Sequence, residues 1–218
     1  MASTQLTKTF ANNGNRKTMT FSFWVKRGTL GTNQYPFSIY DSSSGLQADM
    51  RFITTDIHRM YATNTSSTTV LSFQTNRVFR DTSAWYHIVW SIDTTQATES
   101  NRVKLYVNGV QETSFSSAIY PPQNTDLRWN GNNNADTGGV NYIGAINGGS
   151  YLDGSMSHIN FIDGTAYDAT AFGEYDANGV WKIIVEPSVT YGTNGYFILK
   201  DGNSVTDQSP NTNNFTVG

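Results

Sequence analysis

Four glutamates, Glu99, Glu112, Glu174 and Glu186, are spread along the 218 residues, and each stands alone. Retaining hydrolysis of a glycosidic bond takes two carboxyl groups about 5–5.5 Å apart, one as acid and one as nucleophile. The best pair the sequence offers is Glu174 with Asp176, without a third carboxylate and just after a short helical turn. The three histidines, His58, His87 and His158, have no second histidine at metal-ligand spacing,. His87 lies among aromatics in an apolar run and reads as a hydrogen-bonded core imidazole,. There is no cysteine, no Gly-x-Ser-x-Gly elbow and no phosphate-cradling loop,. The chain reads as non-catalytic.

Binding chemistry is better represented. Sugar rings stack on exposed aromatic faces, and Asn and Asp side chains serve hydroxyls. Trp129-Asn130-Gly131-Asn132 and Tyr151-Leu152-Asp153 carry that combination at loop edges, making Trp129, Asn130, Asn132, Tyr151 and Asp153 the candidate carbohydrate-binding residues. Trp24 and Trp85 fall in strand-like runs and read as sheet-packing residues. With a net charge of -3 and scattered Lys and Arg, no electrostatic footprint for nucleic acid exists,. No run of about 18 apolar residues marks a membrane span, and the first residues do not read as an export signal.

These residues must be positioned by strands. Thr18–Lys26 alternates, with Met19, Phe21, Phe23 and Val25 on one face, as a half-buried strand does,. Ala84–Asp93 is apolar on both faces, which predicts a central strand,. Arg102–Val107 and Val110–Thr113 flank Asn108-Gly109, the signature of a type I′ hairpin,. Further strands are predicted over 5–10, 36–40, 47–54, 58–62, 69–74, 126–129, 141–145, 154–163 and 195–200, and Asp168 is placed to cap one helical turn closed by Gly173,. Many short strands between polar turns predict an all-β, two-sheet antiparallel jelly-roll sandwich with at most one or two helical turns. One domain, 1–218, is expected, its core joining Phe21, Phe23, Ile88, Trp90, Leu105, Val107, Ile143, Ile159 and Phe161.

Three stretches, Phe21–Gly28, Ala84–Val89 leading into Val103–Gly109, and Tyr142–Gly144 with Leu152–Ser157, together resemble the laminin-G-like, concanavalin A-like lectin/glucanase superfamily over roughly residues 16–165. Phe161–Ala166, Phe172–Glu174, Asn178–Lys182, Tyr191–Tyr196 and Asp207–Asn211 look like the version of this domain in tail-fibre and other virion proteins of marine bacteriophages. The resemblance implies a jelly roll with 166–218 as a C-terminal extension packed on it. It also implies a location on the virion surface, as a capsid decoration or appendage. The implied partners are a phage capsid or tail protein, further copies of the chain, and a host surface polysaccharide. A receptor-binding tail-fibre module and a glycoside hydrolase are the other roles the superfamily offers, but its Glu-x-Asp-x-Glu patterns do not occur here. No cofactor is expected except Ca²⁺, which such domains bind at a rim, with Asp136 and Asp153 as candidate ligands,. The strand-like ends, Gln5–Phe10 and Asn214–Val217, carry one lysine between them, and one of them is expected to lie against a neighbouring subunit or the shell,.

Overall fold

The computed structural model describes residues 4–41, 47–64, 68–132, 139–202 and 204–218. The strands are β1 (Leu6–Lys8), β2 (Thr18–Arg27), β3 (Gln34–Tyr40), β4 (Gln47–Phe52), β5 (Ile57–Thr63) and β6 (Thr69–Val78). They continue with β7 (Tyr86–Asp93), β8 (Val103–Val107), β9 (Val110–Glu112), β10 (Phe115–Ile119), β11 (Val140–Ile143) and β12 (Gly154–Asp163). Last come β13 (Gly173–Tyr175), β14 (Trp181–Ile183), β15 (Tyr196–Ile198) and β16 (Thr216–Val217). Two 3₁₀ turns, Glu99–Asn101 and Ala169–Ala171, are the only helical pieces among the described residues, and the Asp168 side chain caps the second by accepting from the Thr170 N–H.

The fold is an all-β sandwich. An eight-stranded sheet in the order β10-β6-β5-β4-β3-β11-β1-β16 faces a six-stranded sheet in the order β15-β12-β2-β7-β8-β9, and β13 with β14 makes a small third sheet. Strand alternation sends one side of each large sheet inward. Met19, Phe21, Phe23 and Val25 of β2 meet Phe37, Met50, Phe52, Met60 and Phe73 of the larger sheet in one apolar cluster. All nine expected core residues belong to it. The Asn108-Gly109 turn adopts φ of 49° and 81°, as a type I′ hairpin requires,.

β2 differs from the half-buried strand its alternation predicts. Its second face is also covered, with Thr20 and Ser22 buried, because the chain beyond β12 folds back over the outside of the six-stranded sheet. A second cluster forms there from Val89, Ile162, Ala169, Phe172, Tyr191 and Phe197. Thr20 Oγ1 donates to Thr165 O and accepts from the Tyr167 N–H, both at 2.8 Å, which fixes the start of the cover. Gly195 permits its close approach, since a Cβ there would fall 1.9 Å from Tyr191 O.

The two ends pair with each other. β1 pairs with β11 on one side and β16 on the other, so the N-terminal strand is interior to its sheet and pairs with the chain's own C-terminus. Residues 126–129 are not a strand. Leu127 and Trp129 are buried there as plugs at the end of the sandwich, held by the Leu127 N–H to Arg16 O at 2.9 Å.

Candidate functional site

Where the cover meets the sheet, three indoles come together. Trp24 on β2, Trp85 just before β7 and Trp181 on β14 line a cleft of about 430 Å³ with Ser157, His158, Lys182 and Ile183. Alternation explains the first two. Trp24 shares its face with Ser22, Trp85 shares its face with His87, and the register sets Trp24 directly across from His87,. The two rings stack at 4.8 Å and 12°. Trp85 remains 40% exposed and supplies the open wall.

Trp181 is placed by glycines. A Cβ on Gly109 or on Gly173 would each come within 2.5 Å of its indole, so a side chain at either position would push the ring away. Its N–H donates to His87 Nδ1 at 2.9 Å, and Tyr175 meets it edge-on at 4.8 Å. Because Nδ1 accepts, the imidazole proton sits on Nε2 and is donated to Ser22 Oγ at 2.9 Å,. Burial pushes the His87 pKa down to about 3, so the ring is neutral and the arrangement persists at physiological pH,.

Two polar atoms of the lining residues are sealed from solvent without a partner. Trp24 Nε1 is buried without an acceptor, and His158 Nε2 is buried without a partner. His158 sits at a bulge in β12 with φ of 47°,. Ser157 Oγ donates to Leu199 O at 3.3 Å and so accepts from His158 Nδ1 at 2.7 Å, which leaves Nε2 as a lone-pair acceptor,. Burial, reinforced by Lys200, holds this imidazole below its usual pKa and therefore neutral,. The cleft thus has mainly apolar walls, with a neutral imidazole among its lining residues. Lys182 is tied to Asp176 at 2.6 Å.

The residues expected from the sequence lie elsewhere. Trp129 is 1% exposed and packs edge-on against Phe21 at 5.1 Å, so it cannot stack on a solvent-borne ring. Asn130 is equally buried, its amide donating to Asp163 Oδ1 at 2.6 Å and Asn15 O at 3.0 Å and accepting from Asn194 Nδ2 at 2.9 Å. It ties the cover to the sandwich, a structural task. Asn132 is partly exposed, with its N–H on Asn13 Oδ1 at 2.7 Å. Tyr151 donates to Gly148 O at 3.0 Å, and neither residue lines the indole cleft. Asp153 accepts from the Thr29 hydroxyl, and its carbonyl accepts from the Gly28 N–H at 2.7 Å. Asp136 lies outside the described residues. No three His, Asp or Glu side chains cluster among the described residues, and Ca²⁺ asks for 6–8 oxygen ligands,.

Trp181 was legible only as part of a motif, and Trp24 and Trp85 only as packing residues. The signal for the cleft is the glycine pair Gly109 and Gly173 with the tryptophan they admit, and that pairing is not visible until the fold is known.

Residues 2–170 match the laminin-G family model described as the concanavalin A-like lectin/glucanases superfamily. No curated protein matches the chain. Among solved structures, a heptameric SAP-like pentraxin from Limulus polyphemus is similar at 15% identity and a TM-score of 0.48, over 75% of this chain and 71% of that one. Domains LG4-5 of the mouse laminin alpha1 chain are similar at 12% identity and 0.48, over 75% of this chain and 46% of that one. The CBM40 of the Ruminococcus gnavus IT-sialidase, bound to alpha2,3 sialyllactose, is similar at 11% identity and 0.43, over 72% of this chain and 91% of that one.

Proposed function

The chain belongs to the concanavalin A-like lectin/glucanases superfamily, and from that premise we propose that it is a non-catalytic, carbohydrate-binding surface protein of a bacteriophage virion. The observation that carries the reading is the indole cleft. Its volume of about 430 Å³ suits a small ligand, and its three indoles offer faces for the C–H side of a sugar ring,.

The non-catalytic reading is supported by the carboxylates. No Asp or Glu is among the residues lining the cleft. Asp176 is bonded to Lys182 and to the Asn178 and Val180 amides, and Lys182 holds its carboxyl below the usual range, where a general acid needs it raised,. The virion role, as capsid decoration or appendage among further copies of the chain, is supported by the segments that resemble phage virion proteins. Those segments build the cover itself: the Asp207 carboxylate accepts from the Phe197, Ser209 and Asn213 amides, and Asn211 Nδ2 donates to Gly192 O and Gly195 O.

Screening the full chain on an array of surface polysaccharides tests the ligand class. A bound glycan whose affinity falls at least tenfold in Trp85→Ala is expected. Absence of any bound glycan, or full binding by the variant, contradicts the carbohydrate reading. Immunolabelling of purified particles tests the location, and unlabelled particles contradict it.

A further inference from the structure

On the outer face of the larger sheet, away from the indole cleft, the register creates a charge arrangement that folding does not explain. β4 and β5 set Ala48 across from Ala62, Met50 across from Met60 and Phe52 across from His58, all buried in the core. The intervening pairs, Asp49 with Tyr61 and Arg51 with Arg59, therefore lie on the sheet's other face, where Asp49 is itself buried and Arg51, Arg59 and Tyr61 are half-buried,. Two guanidinium groups are set directly opposite one another, and like charges at paired positions on one face repel.

Arg51 is partly relieved. Its Nε lies 3.4 Å from Asp49 Oδ1, one Nη donates to the Tyr35 hydroxyl, and the group sits 5.2 Å over the Tyr35 ring. Burial pushes the Asp49 carboxyl up to about 7 against the pull of Arg51, so its charge is incomplete near neutrality. Arg59 has no comparable relief. Among the described residues its guanidinium makes no ion pair or hydrogen bond, its Nε is buried without an acceptor, and it lies 4.1 Å over the Tyr61 ring. The Tyr61 hydroxyl is in turn held by Thr69 Oγ1 at 3.2 Å. The terminal Nη groups of Arg59, which unlike Nε are not sealed from solvent, are the donors left for an acceptor from outside,. Its planar fork matches a carboxylate through two parallel N–H bonds, and a second cation alongside favours an anion over a neutral group.

We propose that Arg59 and Arg51 form a carboxylate-binding site for an acidic sugar residue, with Tyr61 and Tyr35 holding the guanidinium groups in place. The saccharide nature of the ligand rests on the carbohydrate-binding reading; the anion preference rests on this face alone. A uronic-acid carboxylate would take the open donors of Arg59 and neutralise the repulsion with Arg51.

Calorimetric titration of the full chain with trigalacturonate and trimannuronate, each beside its methyl ester, tests the site. At least one acid form is expected to bind, its ester at least tenfold more weakly. Arg59→Gln should weaken the acid form at least tenfold, and Arg59→Lys should restore part of the loss. Equal binding of acid and ester, no binding of either acid, or native affinity in Arg59→Gln would overturn the proposal. The acid-to-ester comparison uses the native chain, so it decides even where a variant fails to fold. A neutral glycan bound through Trp85, with both acids silent, would sink this site and leave the carbohydrate reading standing.

Discussion

His87 does for the cleft what a strut does for a corner: one neutral ring stacks on Trp24, accepts from Trp181 and donates to Ser22. Protonating it would set two N–H groups against each other at Trp181. His58 is in the same position in the core, accepting from Trp90 Nε1 at 3.1 Å, and burial pushes its pKa, like that of His87, down to about 3. Between an ordinary histidine pKa near 6.5 and that value, the unfolded chain binds protons that the folded chain does not. Stability therefore falls as pH drops below about 6.5, by roughly 1.4 kcal/mol per unit for each histidine. Asp49 works in the opposite direction. Its carboxyl, raised to about 7, lets the folded chain hold a proton that the unfolded chain releases above about 4, so acidification from 7 regains part of the loss,. Two groups outweigh one. Urea melts should give a maximum near pH 6.5–7 and a decline toward pH 4.5 that steepens in Asp49→Asn; equal or greater stability at pH 5 would contradict the assignment of both histidines as neutral.

At the scale of the element, the strand most changed by the fold is β1. It is an interior strand, flanked by β11 and β16, that buries Leu6, while Phe10 just beyond it is buried as well, which leaves β16 as the edge. Removing residues 1–10 deletes both side chains and strands β16, so it should cost at least about 5 kcal/mol. A thermal melt of the truncated chain within a few degrees of the native one would refute that role. Strand existence was largely legible because the longer strands, such as β2, β5, β7 and β8, each have at least one buried face, and Asn108-Gly109 announced its turn. What escaped has physical reasons. β13 and β14 are three residues each, too short for a period, and β10 is mostly exposed, so it carries little apolar signal. Residues 126–129 alternate because Leu127 and Trp129 plug the sandwich, not because they pair. Alternation told that Trp24 lies opposite Phe21 and Phe23, but not what covers its face, since the cover comes from residues more than a hundred positions later.

Over the whole molecule, the sandwich has two outer faces with different chemistry. The six-stranded sheet is partly covered by the chain beyond β12, which leaves the indole cleft at its margin, while the eight-stranded sheet carries the arginine pair. The cover is joined to the sandwich by a buried hub in which Asp163 accepts from the Asn15 and Asn194 backbone amides and from Asn130 Nδ2, so Asn130, read from the sequence as a binding residue, holds the cover in place. Ligand is expected to enter where Trp24, Trp85 and Trp181 meet. Five tryptophans give five indole N–H signals in a nitrogen-15 correlation spectrum, which makes the claim directly visible. On titration with a glycan identified on the array, the Trp85 and Trp24 signals should move, while those of Trp90 and Trp129, both sealed in the core, stay fixed. A glycan that binds with the Trp24 and Trp85 signals unmoved would contradict the claim.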